Sequence, residues 1–169
     1  TSVELFYRYS ANNVSWSPWA SIGKAFSGLW SWSFDFSYGE GYYEFRTVAT
    51  DSSNNAESDT GPDASCGYDT HGPASSVDVI SPYWQKILPS TVTATANDAL
   101  SGLENVELFY RYSNDNSSWS VWLLAGIDTD SPWEWSFNFP DGEGYYEFYS
   151  SATDKALNLE SGTVPNAVC

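Results

Sequence analysis

Apolar and polar residues alternate with a period of two along most of the chain. In "VELFYRYS", Val106, Leu108, Tyr110 and Tyr112 stand against Glu107, Phe109, Arg111 and Ser113; in "WEWSFNF", Trp133, Trp135, Phe137 and Phe139 stand against Glu134, Ser136 and Asn138. Such alternation sends one set to a core and the other to solvent, so both segments are predicted strands. "SVDVI" at 76–80 and "STVTATA" at 90–96 are short β-branched runs, separated by "SPYWQKILP", whose prolines forbid a continuous strand. "SNDNSSWS" and "PDGEG" carry turn chemistry, while "SWSVW" at 118–122, "GYYEFYSSATD" and "NLES" at 158–161 complete the predicted strands. No segment has a helical period of useful length.

The pattern is written twice. An offset of 103 lays "VELFYRYS", "SWSPW", "WSWSFDF", "GEGYYEF" and "ATD" of residues 1–66 on their counterparts in 104–169 without a gap, with 36 of 66 positions identical. A whole structural unit has been duplicated. About seven short strands per hundred residues, with evenly spaced turns, predict an all-β chain of tandem immunoglobulin-like or fibronectin-type β-sandwiches. "FPDGEGYYEF" fits the tyrosine corner of such a sandwich. The expected organisation is a partial repeat at 1–66, a polar linker at 67–75 and a complete repeat at 76–169. The partial repeat has no counterpart of its first two strands, which leaves sheet edges and a core face uncovered. Strands equivalent to "SVDVI" and "STVTATA", from the chain upstream or from an adjacent subunit, are expected to complete it.

Composition narrows the function. With 22 acidic and 6 basic residues the formal charge is −16, which repels nucleic-acid backbones and anionic lipid. No apolar run approaches the ~20 residues of a membrane-spanning helix, so no membrane insertion is expected in this segment. An aromatic content of 18% supports packed cores. The lack of methionine, even at position 1, suggests a piece of a longer protein.

Catalytic equipment is sparse. His71, the one histidine, lies in the linker without a nucleophile or metal-ligand motif around it, and the repeated carboxylates Glu4/Glu107 and Glu44/Glu147 sit on polar strand faces. Enzymatic function is not expected. Trp30, Trp32, Trp133 and Trp135 alternate as core residues, whereas Trp16, Trp19, Trp119 and Trp122 are candidate sugar contacts. Spaced by three, one member of each of these pairs is expected to be exposed or at a bulge.

The two sequons, Asn13-Val14-Ser15 and Asn116-Ser117-Ser118, fall at one repeat position in a predicted exposed turn, making Asn13 and Asn116 candidate N-glycosylation sites of a secreted chain. In a sandwich, the loops bearing Asp69, Asp98, Asp154 and Asn158 gather at one end, where hard oxygen ligands suit calcium, although Asp and Asn are also ordinary turn formers. Cys66 and Cys169 occupy equivalent ends of successive domains and are expected not to pair within one chain.

Together "ISPYWQ", "TATANDALSG", "VELFYRYS", "SWSVW", "WSFNFPDGEGYYEF" and "ATDKALN" resemble the tandem immunoglobulin-like repeats of large secreted and cell-surface proteins of archaea, especially methanogens. The turn "ATDxAGN" usual in such repeats reads "ATDKALN" and "ATDSSNN" here. The resemblance implies a β-sandwich, an extracellular location and an architectural or adhesive role. The expected function is structural, with self-association into a surface layer, stalk or filament; the alternative is a carbohydrate-binding or adhesin module that meets surface glycans.

Overall fold

A computed structural model describes residues 1–26, 28–58, 61–162 and 164–169. The described residues form strands and turns without a helix and divide into two compact units, Thr1–Thr70 and His71–Cys169.

The first unit holds β1 (Ser2–Ser10), β2 (Ala20–Ala25), β3 (Gly41–Thr50) and β4 (Ala64–Tyr68) in one antiparallel sheet ordered β2-β1-β3-β4. The second holds β5 (Ala74–Val77), β6 (Ser90–Asn97), β7 (Leu103–Ser113), β8 (Leu123–Asp128), β9 (Trp133–Phe137), β10 (Tyr145–Asp154) and β11 (Ala167–Val168). These make one sheet ordered β11-β10-β7-β8 and another ordered β5-β6-β9. The two sheets face each other as a β-sandwich. Val77, Val92, Trp133, Trp135 and Phe137 of one meet Val106, Leu108, Tyr110, Tyr146 and Phe148 of the other in a continuous buried core. The alternation read from the sequence gives the inward residues of β9 and, in Val106, Leu108 and Tyr110, those of β7; at the end of β7 Tyr112 is half-buried and Ser113, on the polar side of the pattern, is buried.

Four segments depart from expectation. Residues 118–122 do not form a strand; the edge strand β8 starts after them. The chain here is held by Ser120, whose N–H donates to the Tyr112 carbonyl at 2.9 Å and whose Oγ accepts from the Tyr112 N–H at 3.0 Å. The closing strand is β11, not 158–161, where only an isolated bridge joins Thr153 to Leu159. Residues 30–36, repeat-equivalent to β9, form no strand either. The hydrogen-bonding partner of β9 is β6, and among the described residues of the first unit no strand takes the place of β6. The side chains of 30–36 still alternate: Trp32, Phe34 and Phe36 are half-buried, with Phe34 edge-on to Tyr7 and Phe45 at 4.9 Å, while Ser31, Ser33 and Asp35 are exposed. The polar 67–75 stretch is also shorter than a free linker, because β4 runs to Tyr68 and β5 begins at Ala74.

The twice-written "GEGYYEF" has a steric cause. Gly41 and Gly144 have φ of 141° and 157°, and a Cβ at Gly144 would lie 2.5 Å from Tyr112 Cε2 and 2.7 Å from the Ser113 carbonyl oxygen. Tyr9 and Tyr112 cross these glycines to donate their hydroxyls to the Glu40 and Glu143 carbonyls at 2.8 and 2.9 Å. Beside them Tyr43 donates to the Gly39 carbonyl at 2.6 Å and Tyr146 to that of Gly142 at 3.0 Å, so each tyrosine pins the loop that precedes its own strand. Burial pushes the Tyr146 hydroxyl up to about 12.

Candidate functional site

The outward face of the β1–β3 and β7–β10 pairs carries a stack of planar side chains. On β7, Arg111 projects outward, and its guanidinium carbon lies 5.0 Å from the centre of the Trp119 ring and 4.7 Å from that of Trp122. Trp122 then meets Tyr149 edge-on at 4.7 Å, and Tyr149 stacks on Phe109 at 4.7 Å. The first unit repeats the order: Arg8 lies 5.0 Å from Trp16 and 4.7 Å from Trp19, and Arg46 lies 4.6 Å from Trp19 and 5.3 Å from Phe6. Arg46 occupies the repeat position of Tyr149; a guanidinium plane replaces a phenol ring and the stack persists. Glu44 and Glu147 fix the arginines, accepting from Arg8 Nε and Arg111 Nε at 2.6 Å.

This arrangement corrects the expectation for the tryptophan pairs. Trp16 and Trp19, like Trp119 and Trp122, are all half-buried and turn to the same face, because the segment that carries them is not a regular strand. Trp19 has two arginines within 5 Å of its ring centre, Arg8 at 4.7 Å and Arg46 at 4.6 Å, so it is engaged within the protein rather than presented as a sugar platform. The repeated glutamates are likewise accounted for: Glu44 and Glu147 hold arginines, and Glu4 accepts from Ser21 Oγ at 2.6 Å and pairs with Lys24 at 3.3 Å. The Ser21 bond is the main reason the Glu4 carboxyl lies below its ordinary range.

The sequon asparagines sit at the exposed tip of the turn that follows β1 or β7, each with φ of 56°. Asn12 Oδ1 accepts the N–H groups of Val14 and Ser15 at 3.0 and 2.9 Å, and Asp115 Oδ1 those of Ser117 and Ser118 at 2.9 and 2.8 Å. Left-handed backbone favours asparagine on its own account, so the turn supplies a structural reason for Asn13 and Asn116 beside the modification.

Of the oxygen-ligand residues, Asp98, Asp154 and Asn158 come together at one end of the second unit, and Asp69 belongs to the first. A carboxylate oxygen of Asp98 lies within 4.8 Å of one of Asp154. Both acids already hold turns. Asp98 Oδ2 accepts the N–H groups of Leu100 and Gly102 at 2.9 and 2.7 Å; buried Asp154 accepts from the N–H and Nδ2 of Asn158 at 2.8 and 2.9 Å. Burial would raise the Asp154 carboxyl, but the bonds from Asn158, Ala156 and Ser101 outweigh it and hold it below the ordinary range. His71 stands at the same end, its carbonyl facing Asn158 Nδ2 at 3.5 Å. Asp51 and Asn55 repeat the Asp–Asn pairing in the first unit, at 2.9 Å from both nitrogens of Asn55.

A concave site without a sequence motif lies in the second unit. Tyr83, Trp84 and Lys86, from the segment between β5 and β6, face Phe139, Glu143 and Tyr146 across a pocket of about 480 Å³. Trp84 is 67% exposed and meets Tyr83 edge-on at 5.2 Å. The available signal was that Trp84 alone among the nine tryptophans has no repeat-equivalent.

Comparison of the chain with protein families finds no family model that matches, and comparison with curated proteins finds no matching relative.

Proposed function

We propose that this is an extracellular structural protein whose tandem immunoglobulin-like sandwiches, of the kind the sequence resembles in archaeal surface proteins, build a layer, stalk or filament by head-to-tail self-association. The observation that supports this most is the duplicated outer stack. In each unit an arginine lies against two indoles and is paired with a glutamate, Arg8 with Glu44 and Arg111 with Glu147, which suits a stiff, repeated building block. Intact-peptide mass spectrometry together with negative-stain imaging of the native material tests the reading. Glycans at Asn13 and Asn116 and extended particles are expected; unmodified asparagines on compact, dispersed particles would overturn it.

A second reading, binding of surface carbohydrate, is favoured by the pocket beside Trp84. An exposed indole at the rim of a concave site, with Lys86 and Glu143 to meet hydroxyls, fits an apolar pyranose face with polar edges. Sugar-array binding lost in Trp84→Ala and retained in Trp16→Ala would establish it.

A further inference from the structure

β2 and β8 are the same edge strand written twice, and they differ in kind. Each closes its sheet beside β1 or β7, and each has its register shift at one repeat position, Ile22 and Ala125, so their side chains correspond one to one. On β2 the residues opposite Phe6 and Glu4 are Ser21 and Lys24, both exposed; Ser21 donates its hydroxyl to Glu4 at 2.6 Å and Lys24 pairs with Glu4 at 3.3 Å. On β8 the residues opposite Phe109 and Glu107 are Leu124 and Ile127, 50% and 54% exposed. Leu123 stands in place of Ala20, and Val121, 77% exposed, in place of Pro18 just before the strand. Lysine and proline guard a sheet edge against pairing with another chain. The first unit keeps both guards; the second replaces them with apolar residues that its own core does not use.

Charge selects what such an edge can take. The chain carries −16, yet from Asn116 to Ile127 no side chain is ionised, with Asp115 before the stretch and Asp128 after it. A basic partner would find nothing there to pair with, whereas two copies of an acidic chain can touch along it without opposing carboxylates. Laid antiparallel about a two-fold axis between Ala125 and Gly126, two β8 strands set Leu124 of each copy opposite Ile127 of the other, so one apolar pair forms twice on the outward face. Asp128 then falls opposite Leu123, and the two Asp128 residues lie about 17 Å apart along the strands, beyond the ~8 Å reach of charges at physiological salt. Parallel pairing would set them ~4.8 Å apart. The bulge at Ala125 shortens the ladder such a pair can make, so a single joint is weak and suits an array that sums many.

We propose that the outer edge of β8 is a homotypic joint at which two copies of this chain pair antiparallel through Leu124 and Ile127, while the matching edge of the first unit is closed to pairing. A two-fold contact closes on itself, so this joint links arrays side by side and does not extend them end to end. It rests on the self-association reading above and adds a lateral contact to it.

Leu124→Ser combined with Ile127→Lys gives β8 the residues that β2 already carries on the same scaffold, and the new lysine can meet Glu107 as Lys24 meets Glu4. The variant is expected to keep the thermal midpoint of the parent, and Ile127→Lys alone repeats the test with a single change. In sedimentation of the full chain up to ~1 mM, the parent is expected to dimerise, more strongly at ~500 than at ~50 mM salt because screening relieves the repulsion of like-charged copies. The double variant should weaken the dimer by at least ~tenfold. Amide exchange of peptides spanning β8 should slow as the parent dimer fills and stay unchanged in the variant. A parent that remains monomeric at ~1 mM in high salt would overturn the inference, and the assembly reading would then stand or fall on the native images alone. Dimers equally strong in both variants would overturn the joint while upholding self-association. Protection of β8 matched by protection of a different edge strand would identify another strand of the copy as the occupant and overturn the two-fold pairing.

Discussion

Replacing Arg111 interrogates the outer stack where it is most constrained. Its guanidinium lies 5.0 and 4.7 Å from two indole centres, and its Nε bonds Glu147 at 2.6 Å. The arginine side chain is 27% and the glutamate 17% exposed, so solvent screens the group only in part. Two cation–π contacts at about 0.5–1 kcal/mol each, with about 1 kcal/mol for the charge-assisted pair, put Arg111→Ala near 2–3 kcal/mol. Arg111→Lys keeps the charge but gives up the plane that lies against both rings and is expected to lose about 1–2 kcal/mol. Urea unfolding followed by tryptophan fluorescence reads the change as a lower midpoint with unchanged slope. Hydrogen exchange of β7 and β10 peptides assigns it to the second unit. Combined with Glu147→Gln, the two costs should fall short of additivity by about 1 kcal/mol, as residues that share one network do. A lysine variant within about 0.5 kcal/mol of the parent would show that the stack decorates the sheet without holding it.

Gly144→Ala is expected to destabilise the second unit by about 3 kcal/mol or more, measured by thermal unfolding, since the new Cβ meets Tyr112 and the Ser113 backbone in a strained φ region. Leu157 has φ of 68° and is 75% exposed, so Leu157→Asn should raise stability by about 1 kcal/mol as the left-handed strain is relieved with no packing lost. Asp154 has a depressed folded carboxyl pKa, so its contribution is complete above the unfolded value of about 3.9 and disappears as pH falls through the folded value. Acid unfolding of Asp154→Asn should accordingly show a shallower fall in stability below about pH 4.

How much of this was legible in the sequence depended on where each residue's partner lay. The inward residues of β9, and Val106, Leu108 and Tyr110 of β7, follow from alternation, because sheet pleat turns period two directly into side-chain direction. Residues 30–36 carry the same alternation, yet a strand also needs a ladder, and among the described residues of the first unit no strand takes the place of β6 to supply it. The tryptophan pairs escape strand alternation because their segment is no regular strand: Ser120 ties it to β7 through one backbone and one side-chain bond to Tyr112, which leaves the two indoles free to turn to one face. The arginine between the indoles comes from a strand eight residues upstream of Trp119, a juxtaposition made only by folding. Trp84 was hidden by its surroundings, since a segment bounded by prolines shows where a strand stops and not which wall of a pocket it becomes.

The two cysteines turn the difference between the units into a reaction rate. Each lies opposite a buried tyrosine, Cys66 across from Tyr43 and Cys169 beside Tyr146. In the second unit the sulfur is enclosed, 4% exposed, and burial pushes its thiol to about 11, so at pH 8 almost none is thiolate and a reagent cannot reach it. Partial burial raises the Cys66 thiol too, but Cys66 is open to solvent, so access separates the two. A brief pulse of iodoacetamide at that pH therefore alkylates Cys66 and spares Cys169 in the isolated chain.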